Sequence, residues 1–200
     1  NLLTMEMMKL LASHHGLVCL QHEKPFEGIN GSGKHNNWSF GTEDENLLDP
    51  GDTPEANLQF IVFLTCVIEA VDNYQDLLRM SVASCGNDHR LGAHEAPPAI
   101  ISIFLGDELS SIIDALTSGE TAAHTLREQL DFGVDVLPNL ERDTTDRNRT
   151  SPFAFTGNKF EFRMPGSSVN VSDANTVLDT AVAKTLKEFA DAMEARGDME

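Results

Sequence analysis

Cysteine is scarce in this chain. Cys19, Cys66 and Cys85 are the three among 200 residues, and none stands in a C-x-x-C pair. An odd number without paired spacing argues against a disulfide framework or a cysteine zinc site, and points to reduced, mostly buried thiols. Positive charge is scarce too: 14 Lys and Arg stand against 32 Asp and Glu, for a net charge of −18 that seven His do not alter. A body this acidic repels nucleic acid and anionic membranes, so neither is expected as a partner. Long hydrophobic runs are missing. The longest, Phe60 to Val71, is interrupted by Glu69 and is too short to span a bilayer. The start shows no basic segment followed by an apolar one, so no secretory leader is expected, and the expected location is cytoplasmic. Internal repeats and low-complexity tracts are also lacking.

What is present fits one sizeable core. Hydrophobic residues make up 40% and charged residues 23%, the profile of an ordinary soluble globular chain. The first residue is Asn1, and the chain is already in amphipathic helical pattern from Leu2 to Ala12. The expectation is that it begins inside a longer protein.

Periodicity divides the rest into apolar elements separated by polar loops. Leu17 to Leu20 reads as a short buried strand. Thr53-Pro54 predicts a helix start, with Thr as N-cap, and the helix should run to about Ala83 with a buried, nearly all-apolar stretch from Leu58 to Val71. Gly106-Asp107 opens a helix to about Leu116. Lys159 to Met164 alternates as a strand, with Lys159, Glu161 and Arg163 on one face and Phe160, Phe162 and Met164 on the other. From about Ser172 to Arg196, Ala174, Leu178, Val182, Leu186, Phe189 and Met193 recur at helical spacing. The polar loops lie at 23–37, 84–98 and 142–158. Loops of this composition on a rigid scaffold are where sites usually sit.

The first loop contains Gly28-Ile29-Asn30-Gly31-Ser32-Gly33-Lys34, which fits the start of a phosphate-binding loop. His35 follows where that motif needs Ser or Thr, and no apolar helix follows to receive a phosphate. A phosphate-loop kinase is therefore disfavoured. In the third loop and the strand after it, Arg142, Arg147, Arg149, Lys159 and Arg163 fall within 22 positions of an acidic chain. A polyphosphate ligand would account for such a cluster, because several cations can neutralise a transferred phosphoryl group. A salt-bridged loop using Glu141, Asp143 and Asp146 is the other reading.

The wording of the loops resembles the glutamine synthetases, of the long type III class. His22-Glu23-Lys24-Pro25-Phe26 and Asn30 to Ser39 (NGSGKHNNWS) match one block. Asn87 to Pro98 (NDHRLGAHEAPP) matches a second, and Asp146 to Arg163 (DRNRTSPFAFTGNKFEFR) a third, all in the family's order. The resemblance implies an α+β fold: part of a catalytic domain with a curved, mostly antiparallel sheet backed by long helices. Residues 1–200 would be the C-terminal portion of that domain, with its first half and a small N-terminal β-domain lying elsewhere. It implies ATP-dependent ligation of ammonium to L-glutamate through a γ-glutamyl phosphate, with Mg²⁺ or Mn²⁺, in a ring-shaped homo-oligomer. The carboxylates of the first metal have no matching segment here, so the chain alone is expected to be inactive.

By the same resemblance His35 and Glu161 would ligate the second metal. Asn30 and Gly31 would contact glutamate, and Arg90 would grip its carboxylate with a bidentate guanidinium. Arg163 would address glutamate or the transferred phosphoryl group. Ser39, Arg149 and Lys159 would meet ATP, with Arg149 also serving in catalysis. Glu95 would sit on a flap over the site, helping to deprotonate ammonium and excluding water. Two departures stand out. About 50 residues separate Pro98 from Asn148, blocks that lie close together in short family members. Ala154 stands where those members carry an Arg after the N-R-[ST] motif. A glutamate–amine ligase of the same fold and a non-catalytic homologue are the alternatives. Testing larger amines would separate the first, and loss of the first-metal carboxylates would mark the second.

Overall fold

A computed structural model describes residues 1–119, 129–130, 140–141 and 150–197. Its elements in chain order are α1 (Leu2–His14), β1 (Asn36–Trp38), a 3₁₀ turn (Pro54–Ala56), α2 (Leu58–Asn73), α3 (Gln75–Met80), α4 (Cys85–Arg90), β2 (Ile103–Phe104), α5 (Asp107–Ser118), β3 (Gln129–Leu130), β4 (Leu140–Glu141), β5 (Phe153–Phe155), β6 (Phe160–Phe162) and α6 (Ser172–Arg196). Helices and strands mix, which agrees with the expected α+β class at the level of a mixed chain. Among the described residues no helix is long and apolar enough to cross a membrane.

The sheet is short and its order is β1-β6-β5-β2, with β3 and β4 forming a separate antiparallel pair. β1 runs antiparallel to β6, and β6 to β5, while β2 is parallel to β5. Phe153 opposes Phe162 and Phe155 opposes Phe160, so these rings share one face. There Phe153 stacks on Phe160 at 4.7 Å between centroids, and Phe155 meets Phe160 edge-on at 5.2 Å. Phe153, Phe160, Phe162 and Met164 are fully buried. Alternation places Asn37, Ala154 and Glu161 on the opposite face, which is the face of the site.

Two helices form the backing. Phe60, Leu64, Val67 and Val71 recur at helical spacing on α2 and are all buried. They pack with Ala174, Leu178 and Val182 of α6 and with the aromatic face. Two polar bonds fix α6 against β1. Trp38 Nε1 donates to Asp179 Oδ1 at 2.7 Å, and Asn36 Nδ2 to Asn175 Oδ1 at 2.7 Å. Helix ends follow local chemistry: α5 and α6 stop at Gly119 and Gly197, both left-handed.

Several expectations are corrected. Leu17 to Leu20 is not a strand, and Leu17, Val18 and Leu20 are exposed. The helix expected from Thr53 begins at Leu58, capped by Asn57 Oδ1 accepting from the Phe60 N–H at 3.0 Å. Thr53-Pro54 opens the 3₁₀ turn instead. The expected continuation to Ala83 is broken at Tyr74, after Asp72 and Asn73, both weak helix formers. The second loop holds a short helix, α4, whose N-cap Ser84 accepts from the Asn87 N–H. Of the thiols only Cys66 is buried, and Cys85 is exposed.

Candidate functional site

Residues far apart in sequence meet on the polar face of the sheet. Asn37 opposes Glu161 across β1 and β6, which brings His35, just before β1, beside the same strand. His35 Nδ1 lies 2.6 Å from Glu161 Oε1. Arg163 donates from Nε to Glu161 Oε2 at 3.0 Å, and its Nη2 lies at the same distance from that oxygen. Glu161 is thus held between an imidazole and a guanidinium. Burial pushes its carboxyl up, but the hydrogen bonds from Arg163 and His35 outweigh burial and hold it below the ordinary value. It remains an ionised acceptor at neutral pH. Ala154, the register partner of Glu161, is fully buried and puts only a methyl group there.

Arg163 is itself nearly fully buried. Its Nη1 donates to the Ser151 carbonyl at 3.3 Å and its backbone N–H to the Pro152 carbonyl at 2.9 Å. These bonds fix the guanidinium against the start of β5. Lys159, at the other end of β6, is half-buried, with Nζ donating to Asn158 Oδ1 at 3.3 Å. Ser39, just past β1, is exposed. Arg149, with Arg142 and Arg147, lies outside the described residues.

Arg90 sits at the end of α4 and is 4% exposed. Its Nε donates to Asn87 Oδ1 at 3.0 Å, and its Nη2 to the Met164 carbonyl at 2.9 Å. Asn87 is fully buried and donates to the Val82 and Met164 carbonyls at 2.7 and 2.9 Å. The pair clamps the chain just beyond β6. The glycine loop lies directly over Arg90. A methyl group on Gly31 would fall 2.6 Å from Arg90 Cγ, and one on Gly33 would fall 2.1 Å from Arg90 Nη1. These two glycines therefore admit the Arg90 side chain, a close approach that no other residue permits. Asn30 is exposed at the start of that loop, and Glu95 is exposed in the loop after α4.

One charged residue with no role assigned from the sequence is central here. Glu23 is 2% exposed, and its Oε1 accepts from the Ser168 N–H at 3.0 Å and from the Ser168 hydroxyl. Its backbone carbonyl accepts from the Ser32 N–H at 2.7 Å. Nothing in the local pattern marks it, since the partner is 145 residues away. Asn87 was also given no role, and its bond to the Met164 carbonyl spans 77 positions. The lysine of the apparent phosphate loop, Lys34, is committed elsewhere: Nζ donates to the carbonyls of Ser167 and, at 2.6 Å, Val169.

His35 and Glu161 supply an imidazole nitrogen and carboxylate oxygens, donors that a hard divalent cation such as Mn²⁺ or Mg²⁺ accepts. Among the described residues no group of three or more His, Cys, Asp or Glu gathers around such an ion. The donor set fits in kind, and further ligands must come from other residues.

Comparison with known proteins agrees with the loop wording. No family model matches the chain. It is 56% identical over 188 residues to a type-3 glutamine synthetase of Dictyostelium discoideum, covering 94% of this chain and 26% of that protein. It is 58% identical over 170 residues to a glutamine synthetase of Butyrivibrio fibrisolvens, covering 84% of this chain and 24% of that protein. With one from Bacteroides fragilis it shares 51% identity over 193 residues, 94% of this chain and 26% of that protein. The chain spans about a quarter of the length of the curated relatives it matches.

Proposed function

The chain is a relative of the glutamine synthetases over 84–94% of its length, and on that premise we propose that it is the C-terminal portion of the catalytic domain of a type III glutamine synthetase. The complete protein joins ammonia to L-glutamate at the expense of ATP. The first half of the catalytic domain and an N-terminal β-domain belong to the rest of that protein. There the sheet described above continues as part of a curved, mostly antiparallel sheet backed by long helices. The protein works in the cytoplasm as a ring-shaped homo-oligomer.

The observation that carries this reading is the His35–Glu161–Arg163 constellation. It joins the first and third resemblance blocks on one sheet face, with a 2.6 Å contact between residues 126 positions apart. His35 and Glu161 would hold a divalent metal there, whose positive charge offsets that of the ATP phosphates when bound. Arg163 fixes the Glu161 carboxylate, and by the resemblance it also addresses glutamate or the transferred phosphoryl group. Lys159 and Arg149 bind ATP phosphates, and Ser39 lies near the nucleotide. Asn30, Gly31 and Arg90 form the glutamate end. The glutamate side-chain carboxylate attacks the γ-phosphorus of ATP, with ADP leaving. Ammonia then attacks the acyl carbon and displaces phosphate. Glu95, on its exposed loop, takes the proton from ammonium and covers the intermediate.

The test is phosphate release by the complete protein with ATP and magnesium. Release should require both glutamate and ammonium, and Glu161→Ala should lower turnover at least about a hundredfold. Unchanged turnover in that variant would sink the assignment of Glu161. Activity with larger amines and not with ammonium would make the protein a glutamate–amine ligase. No activity with any amine would make it a non-catalytic homologue.

A further inference from the structure

Two buried charges lie beneath the glycine loop, and the reaction above uses only one of them. Arg90 is the first and Glu23 the second. The backbone approaches both so closely that only glycine fits. A methyl group on Gly86 would lie 2.6 Å from Glu23 Oε2, and one on Gly166 would lie 2.4 Å from Glu23 Oε1. With Gly31 and Gly33 over Arg90, four glycines sheathe the two side chains.

Around this pair three segments are tied together. Glu23 holds Ser168 through its carboxylate and Ser32 through its carbonyl. The Lys34 N–H donates to the Pro165 carbonyl at 2.8 Å, and Gly33 bridges Gly166. Arg90 holds the Met164 carbonyl from the α4 side. Ser167 Oγ donates to the Gln21 carbonyl at 2.9 Å. Residues 164–168 are thereby gripped from both sides, and they continue directly from the strand that carries Glu161 and Arg163. The charge on Glu23 also acts on Arg90 and Lys34, favouring their protonated forms against burial.

We propose that Glu23 is a positioning residue for the glutamate end of the site: by holding Ser168 it anchors residues 164–168, against which Gly33 and Lys34 dock, and so sets the loop bearing Asn30, Gly31 and His35 and the seat of the Arg90 guanidinium. This rests on the reading that those residues bind glutamate. Glu23 touches no substrate and acts only through the residues it holds. Because its carboxylate is sheathed by glycine backbone, an isosteric replacement keeps the shape of the clamp but loses the charge that strengthens the Ser168 bonds and faces Arg90 and Lys34.

Glu23→Gln is the discriminating variant, since it keeps an acceptor for Ser168 and removes the charge. Glu23→Ala removes both, and if it does not fold the Gln variant decides. In the complete protein Glu23→Gln should raise KM for glutamate about tenfold while KM for ATP and kcat change less than about threefold. Amide exchange at residues 30–34, 164 and 166–168 should quicken in the same variant. An unchanged KM for glutamate together with unchanged exchange overturns the proposal. If the wild-type protein shows no glutamate-dependent phosphate release, the functional reading has failed, and exchange alone decides whether Glu23 sets the loop. Equal rises in both KM values would show general loosening and would also overturn the proposal.

Discussion

The residues that matter most at this site are those with the least freedom to change. Gly33 carries no functional group, yet any side chain there runs into Arg90 Nη1. Gly33→Ala should destabilise the complete protein by about 1–3 kcal/mol, because the buried guanidinium cannot retreat from its carbonyls. The neighbouring Ser32 is exposed, and Ser32→Ala should change stability by no more than about 0.5 kcal/mol. Denaturation midpoints of the two variants compare them directly. At this scale the sequence was legible where a residue's spacing revealed its direction. The alternation of Lys159, Glu161 and Arg163 against Phe160, Phe162 and Met164 needed only the period of a strand. What it did not reveal was use. The close approach of Gly31 and Gly33 to Arg90 had no signal in the loop itself. Glu23 and Asn87 stand in the matched blocks but were given no role, because the bonds that tie them to Ser168 and Met164 span 145 and 77 positions.

Elements were legible when one face decided them. α6 spans Ser172–Arg196, the range its apolar spacing indicates, and α5 begins where Gly106-Asp107 suggests. Short apolar runs misled. Leu17 to Leu20 has strand-like residues, but no neighbouring strand pairs with it among the described residues. Thr53-Pro54 has the chemistry of a helix start, but Asn57 supplies the cap actually used. The seating of α6 on β1 rests on two polar bonds that no periodicity foretells. Trp38 is 9% exposed, and its indole N–H is satisfied by Asp179. Asp179→Ala should cost about 1–3 kcal/mol by leaving that donor unpaired. Thermal unfolding of the complete protein checks this, and an unchanged midpoint would mean that water or another group replaces the carboxylate.

For the molecule as a whole, acidity works in two directions. The chain carries a net charge of −18, so general protonation of surface carboxylates relieves self-repulsion. Glu23 behaves oppositely. Burial raises its pKa, but the side-chain and backbone hydrogen bonds from Ser168 more than offset this and leave it below the ordinary value. A carboxyl depressed in the folded state stabilises fully above its unfolded pKa, and that stabilisation is lost as pH falls through the folded value. The stability difference between wild type and Glu23→Gln should therefore be constant above about pH 5 and shrink from about pH 4.3 downward. Urea midpoints measured across that range provide the check, and a difference that grows on acidification would contradict the assignment.

The 126 positions that separate His35 from Glu161 also set a schedule for synthesis. β1 and the glycine loop leave the ribosome well before the strand that completes their sheet is made. At ordinary rates of about 5–20 residues per second, the wait is about 6–25 s. Through that interval the emerging chain holds an unpaired strand edge and a loop with no Ser168 or Pro165 to anchor it. The nascent protein thus passes through a stage in which half of its future site is exposed and adhesive. A chaperone that shields residues 17–40 during that stage would act on yield without touching the finished protein.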